Sequence, residues 1–491
     1  MSAGAPRCAV VDLGSNSVRL VVFEGRGRNP VAIFNEKAVL RLGRGMTATG
    51  RLNEQGVEAA LRVMARYAAV ARAMGAEPFD VLATAAVRDA SNGAEFVRAM
   101  EAVLDGAKVQ VLSGEKEAAL SADGVLCGIP GADGLLADIG GGSLELVRLA
   151  PSVPGGVRHA ATLRLGVIRL AERSGGDMAR ARSIAEDDLA ALPWLREAAG
   201  RDLFLVGGAW RALARLHMQH VNYPLGIVHH YTIDAEGARV LASLVLDGAK
   251  KGPRRRAEDL PYAATVLRRL LRQSGAQRVV FSANGIREGW FMQQVGAAVR
   301  EQDPLLEAAR DMALHLGRDP GLPPMLIRWT AALFPGETAE EGRLRQAACW
   351  MSDIGSHDHP EYRAEQAFSR VLRQPGVGLD HPSRAFLAMA VAMRYEPEGD
   401  APFLQTARTL LDPASVARAT ALGMALRLAY ILSAGTPTLL RASALRRNGG
   451  RLVLTLGGAG VFTGDAVTRR MEKLASAIGL VPVIDVQELP P

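Results

Sequence analysis

The sequence predicts two α/β lobes closing on a central cleft, followed by an all-helical region and a small α+β tail. Three observations lead there. A motif of apolar strand, Asp, apolar residue, Gly, short polar loop ending in Ser, and second apolar strand occurs twice. It runs Val10-Val11-Asp12-Leu13-Gly14-Ser15-Asn16-Ser17-Val18-Arg19-Leu20-Val21 and, 126 positions later, Leu136-Ala137-Asp138-Ile139-Gly140-Gly141-Gly142-Ser143-Leu144-Glu145-Leu146-Val147. Between the copies, Gly128-Ile129-Pro130-Gly131 supplies turn chemistry for a crossing from one half to the other. Past about residue 299 the pattern turns helical, with few strand signals before Arg451-Leu452-Val453-Leu454-Thr455-Leu456.

In the first half, the hairpin of the first copy is followed by apolar residues at helical spacing over 57–73, a short apolar strand over 81–86, a helix over 95–104 and a strand over 109–112. The second half starts over with a hairpin across 135–149. A strand at 203–206 then ends in Gly207-Gly208, and another at 279–282 runs into Asn284-Gly285. Helical spacing marks 343–351 and 385–392, with breaks at Pro323-Pro324 and Gly376. The tail reads as a strand at 451–456, a helix over 466–478 and a strand over 481–486. These elements divide the chain into lobes 1–130 and 131–300, a helical region 301–435 and a tail 436–491.

A chain of 491 residues, 48% hydrophobic, has enough apolar material for several cores, and its length fits roughly three or four domains. Residues 1–7 lack the basic segment and apolar run of a secretory signal, and no stretch reaches the ~18 unbroken apolar residues of a membrane span. A cytoplasmic protein without a membrane partner is the expectation. Cys8, Cys127 and Cys349 stand far apart in apolar surroundings, which fits buried free thiols rather than a disulfide or zinc site. The net charge of +7 favours an anionic partner. The densest basic run, Lys250-Lys251-Gly252-Pro253-Arg254-Arg255-Arg256, is followed by Arg268, Arg269 and Arg272 on a helix. It reads as a solvated basic loop and helix face, or as a guide for a polyanion. With aromatic residues at 5% and none within that run, a base-stacking platform is absent and nucleic acid is not the expected partner.

The duplicated loops carry the chemistry. Backbone N–H groups in a Gly/Ser turn converge on an anion, and the preceding Asp is free to hold a cation, so two such loops make facing phosphate cradles. They resemble the phosphate loops of the superfamily that includes actin, sugar kinases and acetate kinase, whose ribonuclease H-like lobes hold a phosphate chain between them. Further motifs narrow the resemblance. Thr84-Ala85-Ala86-Val87-Arg88-Asp89-Ala90-Ser91-Asn92, Ser113-Gly114-Glu115-Lys116-Glu117-Ala118, the second loop, Leu163-Arg164-Leu165-Gly166 and Gly207-Gly208 follow in order. Over about residues 7–300 this order and spacing resemble the exopolyphosphatase and guanosine pentaphosphate phosphohydrolase (Ppx/GppA) family. Ser352-Asp353-Ile354-Gly355 and His357-Asp358-His359 resemble the HD-type helical domain of its long members. Ser352 occupies the first position of the His-Asp pair, so the ligand set is incomplete. His357 and His359 then read as a polar loop, with a metal held by the two histidines as the alternative, and the region as a catalytically silent appendage for dimer contacts or a longer basic channel.

From the residues alone, Glu117 lies in the first turn of a helix capped by Ser113, where acidic side chains complement the helix dipole. The resemblance implies that Glu117 is the catalytic glutamate, orienting or deprotonating the attacking water, with Glu115 as the structural alternative. It further implies Mg²⁺ held by Asp138 and Glu145, with K⁺ as an additional ion. Phosphate would be gripped by Asp12, Gly14, Ser15, Asn16, Ser17, Arg88, Gly140, Gly141, Gly142 and Ser143. The function implied is Mg²⁺-dependent, processive removal of terminal orthophosphate from inorganic polyphosphate by a homodimer. The alternative is removal of the terminal phosphate of guanosine pentaphosphate. Transfer of phosphate to ADP, or non-catalytic sensing of polyphosphate or guanosine tetraphosphate, would be functions of another class.

Overall fold

The computed structural model describes residues 5–104, 106–248, 258–376, 378–457 and 464–487, so the basic run at 250–256 lies outside the described residues. The chain forms two compact units, Met1–Gln302 and Asp303–Pro491.

The first unit holds two sheets of one design. Strands β1 (Arg7–Leu13), β2 (Ser17–Glu24), β3 (Val31–Val39), β4 (Ala76–Ala83) and β5 (Val109–Val111) lie in the order β3-β2-β1-β4-β5. The second sheet, β6 (Gly134–Ile139), β7 (Leu144–Leu149), β8 (Val157–Leu163), β9 (Asp202–Val206), β10 (Tyr231–Asp234) and β11 (Arg278–Phe281), lies in the order β10-β11-β9-β6-β7-β8. In each, an antiparallel meander joins a parallel strand at the hairpin's first strand, β4 on β1 and β9 on β6. The repeat read from two loops is thus a repeat of whole sheets. Ala9, Val10 and Val11 are fully buried, as a central strand covered on both faces requires, whereas β3 at the edge is largely exposed.

The helix Gly114–Gly128 serves both sheets. Its Leu120 and Cys127 join Val10, Val21 and Phe23 of the first sheet, and its Ala118, Ala122 and Val125 join Leu136, Val147 and Phe204 of the second. A second helix, Ile286–Gln293, packs along it at backbone contact: a Cβ on Gly124 would lie 2.1 Å from the Gly285 carbonyl oxygen. Although it follows the second sheet in the chain, this helix packs on the first. Phe291 meets Phe23 at 5.0 Å between ring centroids, and Trp290 Nε1 donates to Asp80 at 2.8 Å.

Local departures from the expected elements have local causes. The strand expected over 81–86 ends at Ala83, and Ala85–Asp89 forms a short helix whose Val87 and Arg88 N–H groups donate to the Thr84 carbonyl. Pro323 and Pro324 begin rather than break a helix, Leu322–Thr330, because the first helical turn needs no N–H donors. Two arginines of the basic helix meet one carboxylate: Arg269 donates to Glu186 at 2.9 Å and Arg272 lies 3.3 Å from it. All three cysteines are free and buried, with burial pushing each thiol up to about 11.

The second unit is mainly helical. Pro413–Ser433, long and apolar enough by length and composition to cross a membrane, is its core helix, burying Leu422, Ala425, Leu426 and Ala429. A sheet β12-β13-β14 completes the unit: β12 (Ser443–Asn448) and β13 (Arg451–Gly457) form a hairpin, and β14 (Val481–Gln487) runs parallel to β13. Sequence reasoning missed β12, whose Arg446, Arg447 and Asn448 obscure its alternation. Asp353 is bonded to Arg318 and Arg394, Asp358 to Arg370, and His357 and His359 are exposed. Among the described residues no three His, Cys, Asp or Glu side chains gather as a metal site.

Candidate active site

The two loops are geometric copies. The Gly14 N–H donates to the Ser17 carbonyl at 3.0 Å, and the Gly140 N–H to the Ser143 carbonyl at 3.0 Å. Each loop is buttressed from behind by later backbone: Leu40 and Arg41 N–H on the Asn16 carbonyl, Ile168 and Arg169 N–H on the Gly141 carbonyl. With carbonyls engaged this way, the N–H groups of Ser15, Asn16, Gly141 and Gly142 donate to no protein acceptor among the described residues. All four residues line one cavity of about 160 Å³ between the sheets. The loops also touch: a Cβ on Gly142 would lie 2.7 Å from Ser15 Oγ and 3.2 Å from Ala85 Cβ, so only glycine lets the second cradle come this close to the first.

Every residue anticipated for the site lines this cavity except Arg88. Glu117 stands in the first turn of Gly114–Gly128, whose cap is Ser113 Oγ accepting from the Lys116 N–H at 3.2 Å. Arg88, on the last turn of Ala85–Asp89, donates through Nη1 to Glu117 Oε2 at 2.9 Å and to the Leu112 carbonyl at 2.9 Å. Its Nε lies 3.4 Å from Asp89, which in turn holds Arg169 at 2.6 Å. Glu117 is 5% exposed. Burial pushes its carboxyl up to about 7 against the pull of Arg88, with Asp138 and Asp12 adding to the rise. Oε1 takes no hydrogen bond from the described residues.

Asp12, Asp138, Glu145 and Asp259 also line the cavity, and the first three are each raised above the ordinary range. Asp138 is raised by burial although Ser121 Oγ donates to its Oδ2 at 2.5 Å. Glu145, directly opposite it in the β6–β7 register, is 1% exposed; burial, then Glu117 and Asp138, hold it well up, and its Oε1 has no partner. Asp12 is raised by burial against the nearby Arg287, whose Nε lies 3.8 Å away. Asp138 and Glu145, paired across the β6–β7 register with one orphaned carboxylate oxygen, offer oxygen donors of the kind taken by a hard divalent cation that keeps most of its water, while among the described residues no third carboxylate gathers with them.

The opposite charge was under-read from the sequence. Arg19, Lys37, Arg211 and Arg287 also line the cavity. Burial and then Arg287 push Arg211 down to about 10, and burial and Arg287 lower Arg19. An anion between these groups would relieve that repulsion. The signal for Arg19 was available, because it faces Asp12 in the β1–β2 register just as Glu145 faces Asp138 in β6–β7. Arg211 and Arg287 each follow a glycine turn that was noted without its arginine. Lys37, on an edge strand, had no signal.

Residues 21–298 match the Ppx/GppA phosphatase family. The chain belongs to this family. Residues 305–481 of this Ppx/GppA protein match the family described as Exopolyphosphatase, C-terminal. Exopolyphosphatase 2 of Mycobacterium tuberculosis is 32% identical over 177 residues, 34% of this chain and 54% of the relative. Exopolyphosphatase 1 of Mycobacterium bovis is 33% identical over 167 residues, 33% of this chain and 47% of the relative. The chain spans about half the length of the curated relatives it matches. A solved exopolyphosphatase from Cytophaga hutchinsonii aligns with a TM-score of 0.53 and 20% identity, covering 59% of this chain and 99% of its own. The actin-like α/β fold expected from the duplicated loops is therefore the fold of this Ppx/GppA chain.

Proposed function

We propose that this Ppx/GppA protein is an exopolyphosphatase, removing terminal orthophosphate from inorganic polyphosphate by attack of water. The observation that carries the reading is the set of four undonated N–H groups, two from each loop, in one cavity with Glu117. Phosphoryl transfer needs alignment and charge stabilisation more than covalent chemistry, and each part has a residue here. The loop N–H groups and Arg19, Arg211 and Arg287 would bind the phosphoryl oxygens. Glu117, fixed through Oε2 by Arg88, would hold a water at Oε1 and take its proton as the bond to phosphorus forms. Asp138 and Glu145 would hold Mg²⁺, which supplies neutralisation of developing charge when bound. In this reading Arg88 positions Glu117, and a turn of its fork toward phosphate would trade one charge-assisted bond for another.

Names of the relatives support polyphosphate as substrate, and the surplus of basic residues supports a long polyanion. The helical region is proposed as an HD-type scaffold without its metal, since Asp353 is bonded to two arginines and Ser352 precedes it. The test is orthophosphate release from long-chain polyphosphate and from guanosine pentaphosphate, with Mg²⁺, by the native chain and Glu117→Ala. Faster release from guanosine pentaphosphate would reassign the substrate. Full turnover by the variant, or none from either substrate by the native chain, would overturn the site.

A further inference from the structure

A cavity of about 200 Å³ in the second unit is lined by Arg318, Arg363, Arg394 and Arg427 together with the hydroxyl-bearing Ser356 and Tyr430. Four guanidinium groups around so small a space repel one another unless negative charge offsets them. Two carboxylates do so in part. Asp353 accepts from Arg318 at 2.9 and 3.0 Å and from Arg394 at 3.1 Å. Glu396 accepts from Arg427 at 3.1 Å but also serves Arg470 at 2.6 Å. Arg363 has no carboxylate partner among the described residues; its guanidinium lies 5.3 Å over the Tyr395 ring, and its buried Nε is unbonded. Arg394, with a side chain only 4% exposed, likewise has an unbonded Nε. Burial, then Arg394 and Arg470, depress the Arg427 guanidinium despite Glu396.

The arginines are held in place rather than merely crowded. Arg394 is sandwiched between the rings of Tyr395 at 4.1 Å and Tyr430 at 3.8 Å. Those rings are pinned in turn, Tyr430 by its hydroxyl against Ser352 Oγ at 3.0 Å and Tyr395 by accepting the Gly355 N–H at 2.8 Å. A positively charged cavity lined by four guanidinium groups, Arg363 among them without a carboxylate partner among the described residues, is complementary to a small multivalent oxyanion, whose oxygens planar guanidinium forks grip in pairs.

We infer that this cavity is a second phosphate-binding site, outside the catalytic cleft, taking either a phosphoryl group of a polyphosphate chain or free orthophosphate. Neither source depends on turnover by the cleft. The experiment is calorimetric titration of the full chain carrying Glu117→Gln, which keeps the probe intact, with tripolyphosphate and separately with orthophosphate. Two classes of tripolyphosphate site are expected. Arg363→Gln or Arg427→Gln should weaken one class about tenfold or more and leave the other unchanged, the loss of one charge-assisted hydrogen-bond donor. Ala434→Asp, at the exposed rim and in a left-handed conformation that Asp tolerates, should weaken the same class without removing an arginine. Orthophosphate competing at that class assigns free phosphate; tripolyphosphate binding alone assigns the chain. If Arg363→Gln, Arg427→Gln and Ala434→Asp, each folded by circular dichroism, titrate like the parent, the site does not exist.

Discussion

Burial pushes the Glu117 carboxyl up to about 7 while Arg88 at 2.9 Å pulls it back, so this side chain changes charge in the range where the protein must work. A base must be ionised to accept a proton, and kcat/KM for orthophosphate release should therefore rise with pH through about 7 and level off above it. Glu117→Gln should lower kcat by roughly 10²–10⁴-fold with little change in KM, the usual contribution of a positioned base. A flat pH profile in the native chain would remove Glu117 from that role. Glu145 makes a different prediction because its carboxyl is almost sealed from water and one oxygen is unpartnered. Its folded pKa is raised above 4.5, so its contribution to stability is full below that value and is lost as pH rises. Glu145→Gln should then melt a few degrees higher than the native chain at about pH 8 without metal, roughly 1 kcal/mol for a unit of this size. Near pH 4.5 the two should coincide, and Mg²⁺ should narrow the gap at about pH 8 by stabilising only the native carboxylate. A variant that melts lower at about pH 8 would mean the carboxylate is already neutralised within the protein.

The helices Gly114–Gly128 and Ile286–Gln293 join Glu117 to Arg287, the arginine beside Asp12. Their backbones touch at Gly124, so Gly124→Val has nowhere to put its branches and should cost about 1–3 kcal/mol, read by urea denaturation. Because Glu117 and Arg287 ride on these helices, turnover should fall as well, even though Gly124 lines no cavity with them. Unchanged stability would show that the two helices can part without cost. The hairpins give two similar loops opposite charges. At matching register positions β2 presents Arg19 and β7 presents Glu145, so one cradle is weighted toward the anion and the other toward a cation.

A net charge of +7 on the chain favours long polyanions through attraction that salt screens. KM for long-chain polyphosphate should rise about tenfold between ~0.05 and ~0.5 M salt while kcat changes little, since the buried cleft is screened less than the surface. A KM indifferent to salt would assign binding to the cleft contacts alone. Much of this arrangement could be read along the chain. Apolar runs, turn glycines, the Ser113 cap and the 126-residue repeat are signatures of neighbouring residues, because backbone propensity and side-chain period act over a few positions. They fixed the lobes, the loops and Glu117 at a helix start. Partnerships between distant residues were beyond their reach. Arg88 on Glu117, Arg287 beside Asp12, Ser15 against Gly142 and five carboxylates in one cavity arise from which faces of two sheets and two helices pack together. So does the arginine cavity around Asp353, whose members come from well-separated segments of the second unit. Local sequence set the parts and their chemistry; burial of shared apolar faces, a property of the folded chain, decided which charges meet.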